Sequence, residues 1–413
     1  MNNKFLLSVA FAASALSGFA QQNKMTYAIT GDGNNDFVWM NIRQVDLSTG
    51  QITKTLFERG TTNYSITDVQ SNLTSTQREI AGVDVFNSTK YPTGTFVAAA
   101  AYDKRTNKLF FTPMRKGELR WMDLNSASST PKFYTMAIPG FKQEADYDEA
   151  TNITRMVIGA DGVGYALSND GNHFFSFTTG NKPVIKDLGN IIDAESNTGI
   201  SIHNRCSCWG GDMIADAFGH LYVISANHSV FLIDPATRVA TFKGNIQGLP
   251  AAYTTNAAAV NDNGDVVLGS ANQFDGFYTL NMNDLKAVKM EGSQVKYNPS
   301  DFANGNLLFQ KQADNIANGA AVPSAISSSN SRVFPNPVTN SSFNILFDNK
   351  SGKYNIIVSD LAGRVVYTKS TFVGEGQQTQ KINLNANASK GVYIVKVIDD
   401  KNAIIINEKV VVQ

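Results

Sequence analysis

His203, Cys206 and Cys208 sit in one short stretch, ISIHNRCSCWGGD, with His-x-x-Cys-x-Cys spacing. Imidazole and thiolate donors at that spacing suit zinc or copper. No fourth ligand stands nearby, and a Cys-x-Cys disulfide would close a tight, strained ring. The thiols are therefore expected to be structural or free, and no metal is assigned. Asp32-Gly33-Asn34-Asn35-Asp36 has the Asp-x-Asn-x-Asp spacing of half a calcium loop. Phe37 stands where such a loop needs glycine and Arg43 where it needs glutamate, so an Asn/Asp/Gly hairpin is expected. The acidic run Glu144, Asp146, Asp148, Glu149 could collect a cation, but a solvated loop is the plainer expectation. The other histidines are His173, His220 and His228. His220 and His228 fall at turns between strands, where packing accounts for them without general-base duty. Gly-x-Ser-x-Gly, His-Glu-x-x-His and phosphate-binding loops are absent from the sequence. Loop carboxylates could still supply a lyase or glycosidase pair. Trp39, Trp121 and Trp209 lie near turns and could stack on sugars, with core packing expected first. No catalytic or cofactor-binding residue is assigned, and no cofactor is expected.

The elements that must hold these residues repeat. Residues 97–126, 156–181, 213–239 and 258–285 share one grammar. A strand of small residues meets a polar turn: Asp103 to Asn107, Asp161-Gly162, Asp216 to Gly219, Asn261 to Gly264. A hydrophobic strand follows: Leu109 to Thr112, Gly164 to Leu167, Leu221 to Ile224, Val266 to Leu268. A second turn precedes an aromatic strand: Leu119 to Met122, His173 to Phe177, Val230 to Ile233, Gly276 to Leu280. No long stretch holds a helical period. A four-stranded sheet this small buries both faces only against neighbours, which favours a ring of blades over a sandwich array or open solenoid. The expectation is all-β: a β-propeller of about five to six blades over residues 21–312, then a small Ig-like sandwich. Tyr27 to Phe57, with a strand pair from Asp301 to Gln310, is expected to complete one blade and fasten the ring. Residues 58–93 are poor in apolar side chains and read as a long loop, or as a degenerate sixth blade. ADGVGYALS and DAFGHLYVISANHSVFLIDPATRV resemble the blades of secreted NHL-like and quinoprotein-like propellers; that resemblance implies a fold, not a function.

The two ends of the chain read as addresses. Lys4, an apolar run from Phe5 to about Leu16, and small residues Gly18 and Ala20 form an export signal over residues 1–20, with cleavage between Ala20 and Gln21. The run is too short for a comfortable membrane span, and no later window is apolar enough to cross a bilayer. Residues 313–331 read as a polar linker. Residues 332–413 alternate strands and turns at the spacing of a sandwich. Within them stand Pro335-Asn336-Pro337, the turn Asp360-Leu361-Ala362-Gly363-Arg364, the strand opening Gly391-Val392-Tyr393, and a closing strand from Lys409. In order and spacing these resemble the carboxyl-terminal sorting domain of Bacteroidota type IX secretion cargo. The resemblance implies Sec export, recognition at the outer membrane by the type IX machinery, removal of the domain, and release or surface attachment. Pro335, Asn336, Pro337, Asp360, Gly363, Arg364, Gly391, Tyr393 and Lys409 are the implied sorting residues.

Whole-chain charge is zero, with 35 basic and 35 acidic residues. The partition is uneven: residues 332–413 carry 10 basic and 6 acidic side chains, while those between signal and tail carry 24 and 29. The passenger is thus mildly acidic, which disfavours nucleic acid as a partner. Two cysteines exclude a disulfide-dense scaffold. These features point to a secreted or surface-displayed propeller that binds glycan or protein, the alternative being an extracellular hydrolase or lyase with its site at the propeller axis.

Overall fold

The structure is a computed structural model; it describes residues 25–31, 33, 37–77, 91–126, 130–141, 149–292, 297–317, 332–336, 338, 342–347, 351–360, 365–374, 378–384, 390–399 and 404–412. The expected signal, its Ala20–Gln21 junction, Asp32, Asn34, Asn35, Asp36, Glu144, Asp146, Asp148, Pro337, Gly363 and Arg364 lie outside these residues. The chain divides into two compact units at residues 319 and 320.

Among the described residues the first unit holds five sheets, antiparallel but for one rim pairing each in two of them, and each begins at an inner strand. Blade 1 runs outward from Pro299–Ala303 through Thr26–Thr30, Asn41–Asp46 and Gln51–Phe57. Blade 2 comprises Val97–Asp103, Lys108–Pro113, Glu118–Asp123 and Lys132–Ala137. Blade 3 comprises Ile153–Ile158, Gly164–Ser168, Phe174–Phe177 and Ile185–Asp187. Blade 4 comprises Asp212–Ala215, Leu221–Ile224, Ser229–Asp234 and Val239–Asn245, with Ile192–Asp193 added in parallel at its rim. Blade 5 comprises Ala257–Val260, Val266–Gly269, Tyr278–Asn281 and Lys286–Lys289. Each inner strand packs against the next, and Pro299–Ala303 packs against those of blades 2 and 5, so the ring is closed. The closing strand pairs with the first strand of the blade, Tyr27 opposite Ala303 and Ala28 opposite Phe302.

Side-chain alternation explains the ring. Successive residues of a strand point to opposite faces. In blade 2, Leu109 and Phe111 pack toward blade 1 while Phe110 packs toward blade 3. In blade 3, Tyr165 and Leu167 face blade 4 while Ala166 faces blade 2. Five separate hydrophobic clusters result, one between each pair of neighbouring blades. Both faces of a blade are buried, which is why its strands read as near-continuous apolar runs. At one end of the inner strands, Asx turns set the hairpins. Asp103 accepts from Arg105 N, Asp161 from Val163 N, Asp216 from Phe218 N and Asn261 from Asn263 N, all at 2.9–3.0 Å. Gly162, Gly219 and Gly264 complete three of these turns in the left-handed region, φ 79°, 93° and 93°.

Two expectations are corrected. Residues 64–77 are neither a loop nor a sixth blade. Tyr64–Asp68 and Leu73–Gln77 form a hairpin that adds two strands to the rim of blade 2, Tyr64–Asp68 running parallel to Lys132–Ala137. One anchor, Tyr64, is buried against Phe57 and Phe133, so little apolar sequence was needed. Residues 301–310 do not supply a strand pair: a single strand ends at Ala303, and a helix covers Gln310–Ala317.

The second unit is a sandwich. One sheet holds Arg332–Phe334, Ser342–Phe347 and Gln378–Asn383; the other holds Val365–Val373, Gly352–Asp360, Gly391–Asp399 and Ile404–Val412. Phe343, Ile345 and Phe347 from one sheet meet Ile356, Val358, Val395 and Val410 from the other. Among the described residues, no helix is long and apolar enough to cross a membrane.

Candidate functional site

The propeller axis is narrow. Alanines dominate the inner strands of blades 2 and 5, Ala99 to Ala101 and Ala257 to Ala259, and there they let the backbones converge. The channel near the carboxyl ends of these strands, lined by residues such as Ala101, Ile158, Ala215, Val260 and Asn304, has a volume of about 20 Å³. That admits on the order of one water molecule, whereas small-molecule pockets run to hundreds of Å³.

Two carboxyls lie buried on the inner strands. Asp212 opens the inner strand of blade 4, and Asp301 lies on the closing strand; both are 0% exposed. Asp212 Oδ2 accepts from Ala258 N of blade 5 at 2.6 Å and from Phe302 N of the closing strand at 3.3 Å; its Oδ1 accepts from Met213 N at 2.6 Å. Neither oxygen of Asp301 receives a well-formed hydrogen bond. Its polar surroundings are the Ala100 amide of blade 2 and the Asp212 carboxyl. Burial pushes Asp212 up to about 8 despite its three amide donors. Burial, and then the Asp212 charge, hold Asp301 well above the usual carboxylate range. Arg155, on the inner strand of blade 3, is equally buried. It donates only to backbone carbonyls: Ser168 at 3.1 Å, Gly210 at 3.0 Å, Asn169 at 3.5 Å, and Cys208. Burial pulls its guanidinium down to about 10.

The His-x-x-Cys-x-Cys stretch does not assemble a ligand set. Asn204 caps a short helix, Arg205–Cys208, by accepting from Cys206 N and Ser207 N. Both ring nitrogens of His203 face carbonyls, Asp170 O at 2.5 Å and Ile191 O at 3.1 Å. Cys206 is exposed and Cys208 buried, and both are free. Burial pushes the Cys208 thiol up. The other histidines are also engaged. His173 meets Asp187 at 2.8 Å, His220 meets Asp216 at 3.1 Å, and His228 Nε2 meets Tyr253 O at 2.5 Å. Trp121 is a core residue, stacked on Tyr134 with ring centroids 5.4 Å apart. Trp39 and Trp209 are half-buried on the loop face that carries the amino ends of the inner strands. Trp209 donates its indole N–H to His203 O at 3.2 Å, and the Arg205 guanidinium lies 5.0 Å from its ring centre. Sequence reasoning missed Asp212, Asp301 and Arg155. Asp212 and Asp301 stand next to apolar strand residues, a polar type where a strand of small residues is expected, and that was the available signal.

In the sandwich unit the described sorting residues come together at one end of the four-stranded sheet. Asp360 pairs across the strands with Tyr393, Tyr393 with Val410, and Gly391 with Val412. Asn336 clasps the last strand: its Nδ2 donates to Lys409 O at 2.6 Å, and its Oδ1 accepts from Val411 N at 2.9 Å. Val338 N donates to Val411 O at 2.7 Å and extends the clasp. Tyr393 is buried, while Pro335, Asn336, Gly391 and Lys409 are exposed.

Residues 332–413 match the family described as the secretion system C-terminal sorting domain. No curated protein matches the chain. Among solved structures, the chain is similar to PorZ, a surface component of the type IX secretion system of Porphyromonas gingivalis. Identity is 13% and the TM-score 0.32, covering 94% of this chain and 51% of that one, so the chain spans about half of PorZ. A streptogramin B lyase is similar at 12% identity and TM-score 0.34, over 66% of this chain and 86% of that one. A quinoprotein alcohol dehydrogenase-like protein from Bacteroides thetaiotaomicron is similar at 13% identity and TM-score 0.31, over 69% and 67%.

Proposed function

We propose that this chain, which carries the sorting tail of type IX secretion cargo and is thereby addressed to the cell surface or extracellular space, delivers a propeller that binds a glycan or protein. In this reading residues 1–20 direct Sec export, 21–312 bind, 313–331 link, and 332–413 engage the secretion machinery. The sorting contact is made by the exposed end of the sandwich, around Pro335, Asn336, Gly391 and Lys409.

The observation that carries the binding reading is the loop face of blades 3 to 5. There Trp209 lies beneath Arg205, the exposed Asn204 and Asn227 both bond to Cys206 of the same short helix, and Asn272 is exposed on the blade 5 loop beside Thr254. An aromatic ring, a guanidinium and carboxamides are the groups that hold sugar rings and hydroxyls, or an extended peptide. The rival reading, hydrolysis or elimination at the axis, would need substrate to reach Asp212 and Asp301, and both are fully buried. The test is a screen of the purified chain against surface polysaccharides and surface proteins, followed by Trp209→Ala. The expected outcome is a ligand whose affinity falls roughly 10-fold or more with the loss of one stacking side chain. Binding that survives Trp209→Ala unchanged would remove this face from consideration.

A further inference from the structure

We propose that Asp212 and Asp301 form a proton-sharing latch that closes the propeller ring. A circular sheet array fails first at its seam, because the seam is held by pairing between chain segments far apart in sequence. Here the seam is the strand Pro299–Ala303, which pairs with Thr26–Thr30. Asp212 reaches it from blade 4 by accepting from Phe302 N, and takes Ala258 N of blade 5 with the same oxygen. Asp301 precedes Phe302, whose amide Asp212 holds, and its fully buried carboxyl interacts with Asp212 and with the Ala100 amide of blade 2. Blades 2, 4 and 5 and the closing strand thus meet at two carboxyls.

The hydrogen-bond inventory places the proton. Asp212 is surrounded by donors: three backbone N–H groups point at its two oxygens. It is the acceptor-rich partner and stabilises a carboxylate. Asp301 has no well-formed donor on either oxygen. A buried carboxylate without donors is costly, and two facing carboxylates cannot both ionise in a low-dielectric site. Once the pair has given up one proton, the proton that remains therefore stays on Asp301 and is donated to Asp212. Among the described residues, the charge bearing on Asp301 is that of Asp212. Asp103, at the far end of blade 2's inner strand, is held by Arg105, and Arg155 of blade 3 is spent on carbonyls. The closing strand's other ties are neutral: Ser300 Oγ donates to Val97 O at 2.6 Å, and Asn304 Nδ2 to Val260 O at 2.8 Å.

The direction of the pH effect follows. Both folded-state pKa values are raised above those of the unfolded chain, so the folded ring holds protons that the unfolded chain releases. Stability from this source is complete below the ordinary carboxylate pKa of about 4. It is lost as pH rises through the raised folded-state values, about 8 for Asp212 and well above the usual carboxylate range for Asp301. The test is thermal unfolding of the full chain from about pH 5 to about pH 9, wild type beside Asp301→Asn. An asparagine carboxamide donates to Asp212 at every pH. One proton fewer in the linkage lowers the slope of the propeller's midpoint against pH by about 3–5 °C per unit, leaving the variant more stable than wild type at the alkaline end. Asp212→Asn turns an amide NH₂ against backbone donors, and its midpoint falls at all pH values. Protection of the Phe302 and Ala258 amides, measured as exchange relative to the intrinsic base-catalysed rate at each pH, should fall with pH in wild type and hold steady in Asp301→Asn. If Asp301→Asn does not fold, the infrared band of a protonated carboxyl in wild type near neutral pH, lost on raising pH, carries the test. Identical pH slopes in wild type and variant would overturn the latch, as would the absence of that band. So would a midpoint that drops with a chelator and is restored by calcium, which would mean a cation holds the pair together in place of the proton.

Discussion

At the scale of single residues, the buried polar side chains act as ties between segments. Arg155 illustrates this. Among the described residues it pairs with no carboxylate; its guanidinium fork is filled by carbonyls from the Ser168-Asn169 turn of blade 3 and from the Cys208 to Gly210 segment that leads into blade 4. Arg155→Met should fill the space and still strand those carbonyls, costing about 2–4 kcal/mol in urea-induced unfolding. Arg155→Lys should recover less than half, since an ammonium cannot span the fork. Equal stability of Arg155→Met and wild type would show that packing, not hydrogen bonding, fixes this joint. Asn336 plays the same part in the sandwich, joining the chain after Arg332–Phe334 to the last strand. Asn336→Ala removes two hydrogen bonds and should lower the sandwich by about 1–2 kcal/mol while leaving the propeller transition where it is. Differential scanning calorimetry of the full chain reads both.

At the scale of elements, blade strands are fixed by what their neighbours allow. Gly164 opens the second strand of blade 3, and a Cβ there would lie 2.2–2.5 Å from the buried ring of Phe177. Phe177 sits among Phe110, Ala166 and Ile153, so its ring has no room to retreat. Gly164→Ala should therefore cost about 1–3 kcal/mol through overpacking. Gly164→Ala combined with Phe177→Leu should recover part of that, the coupling being the measurable quantity. Elements of this kind were largely legible from sequence. The inner, hydrophobic and aromatic strands of blades 2 to 5 fall where alternation and Asx turns place them, because both signals are local. The hairpin Tyr64–Gln77 was not legible. It is held at its inner end by the long-range contact of Tyr64 with Phe57 and Phe133, and residues 73–75 of its outer strand are exposed. The Asp212–Asp301 pair was hidden for the same reason: its two members are 89 positions apart and meet only once the ring closes. The sorting boxes were read as separate motifs; that Asp360, Gly391, Tyr393 and Lys409 share one sheet end with Asn336 is a fact of register.

At the scale of the whole molecule, the chain is two compact units, and among the described residues their cores are self-contained. Among the described residues, each of the five propeller clusters draws on positions up to Phe309, whereas the sandwich core draws on Val333 to Val412. A core built from one continuous stretch can form without the rest of the chain. The sandwich should then fold, and act as an address, on any passenger. An unrelated reporter carrying a Sec signal at its front and residues 313–413 at its back should leave a type IX-competent cell, while the same reporter without residues 332–413 should stop in the periplasm. Immunoblots of the culture medium, cell surface and periplasm separate the outcomes. Retention of the tailed reporter in the periplasm would mean that the propeller contributes to recognition, and would move part of the sorting surface out of the sandwich. Export with Asn336→Ala in the tail tests the clasp in the same assay. If the exposed sheet end is what the machinery reads, loosening Lys409 to Val411 should reduce the exported fraction several-fold without changing the amount of reporter made.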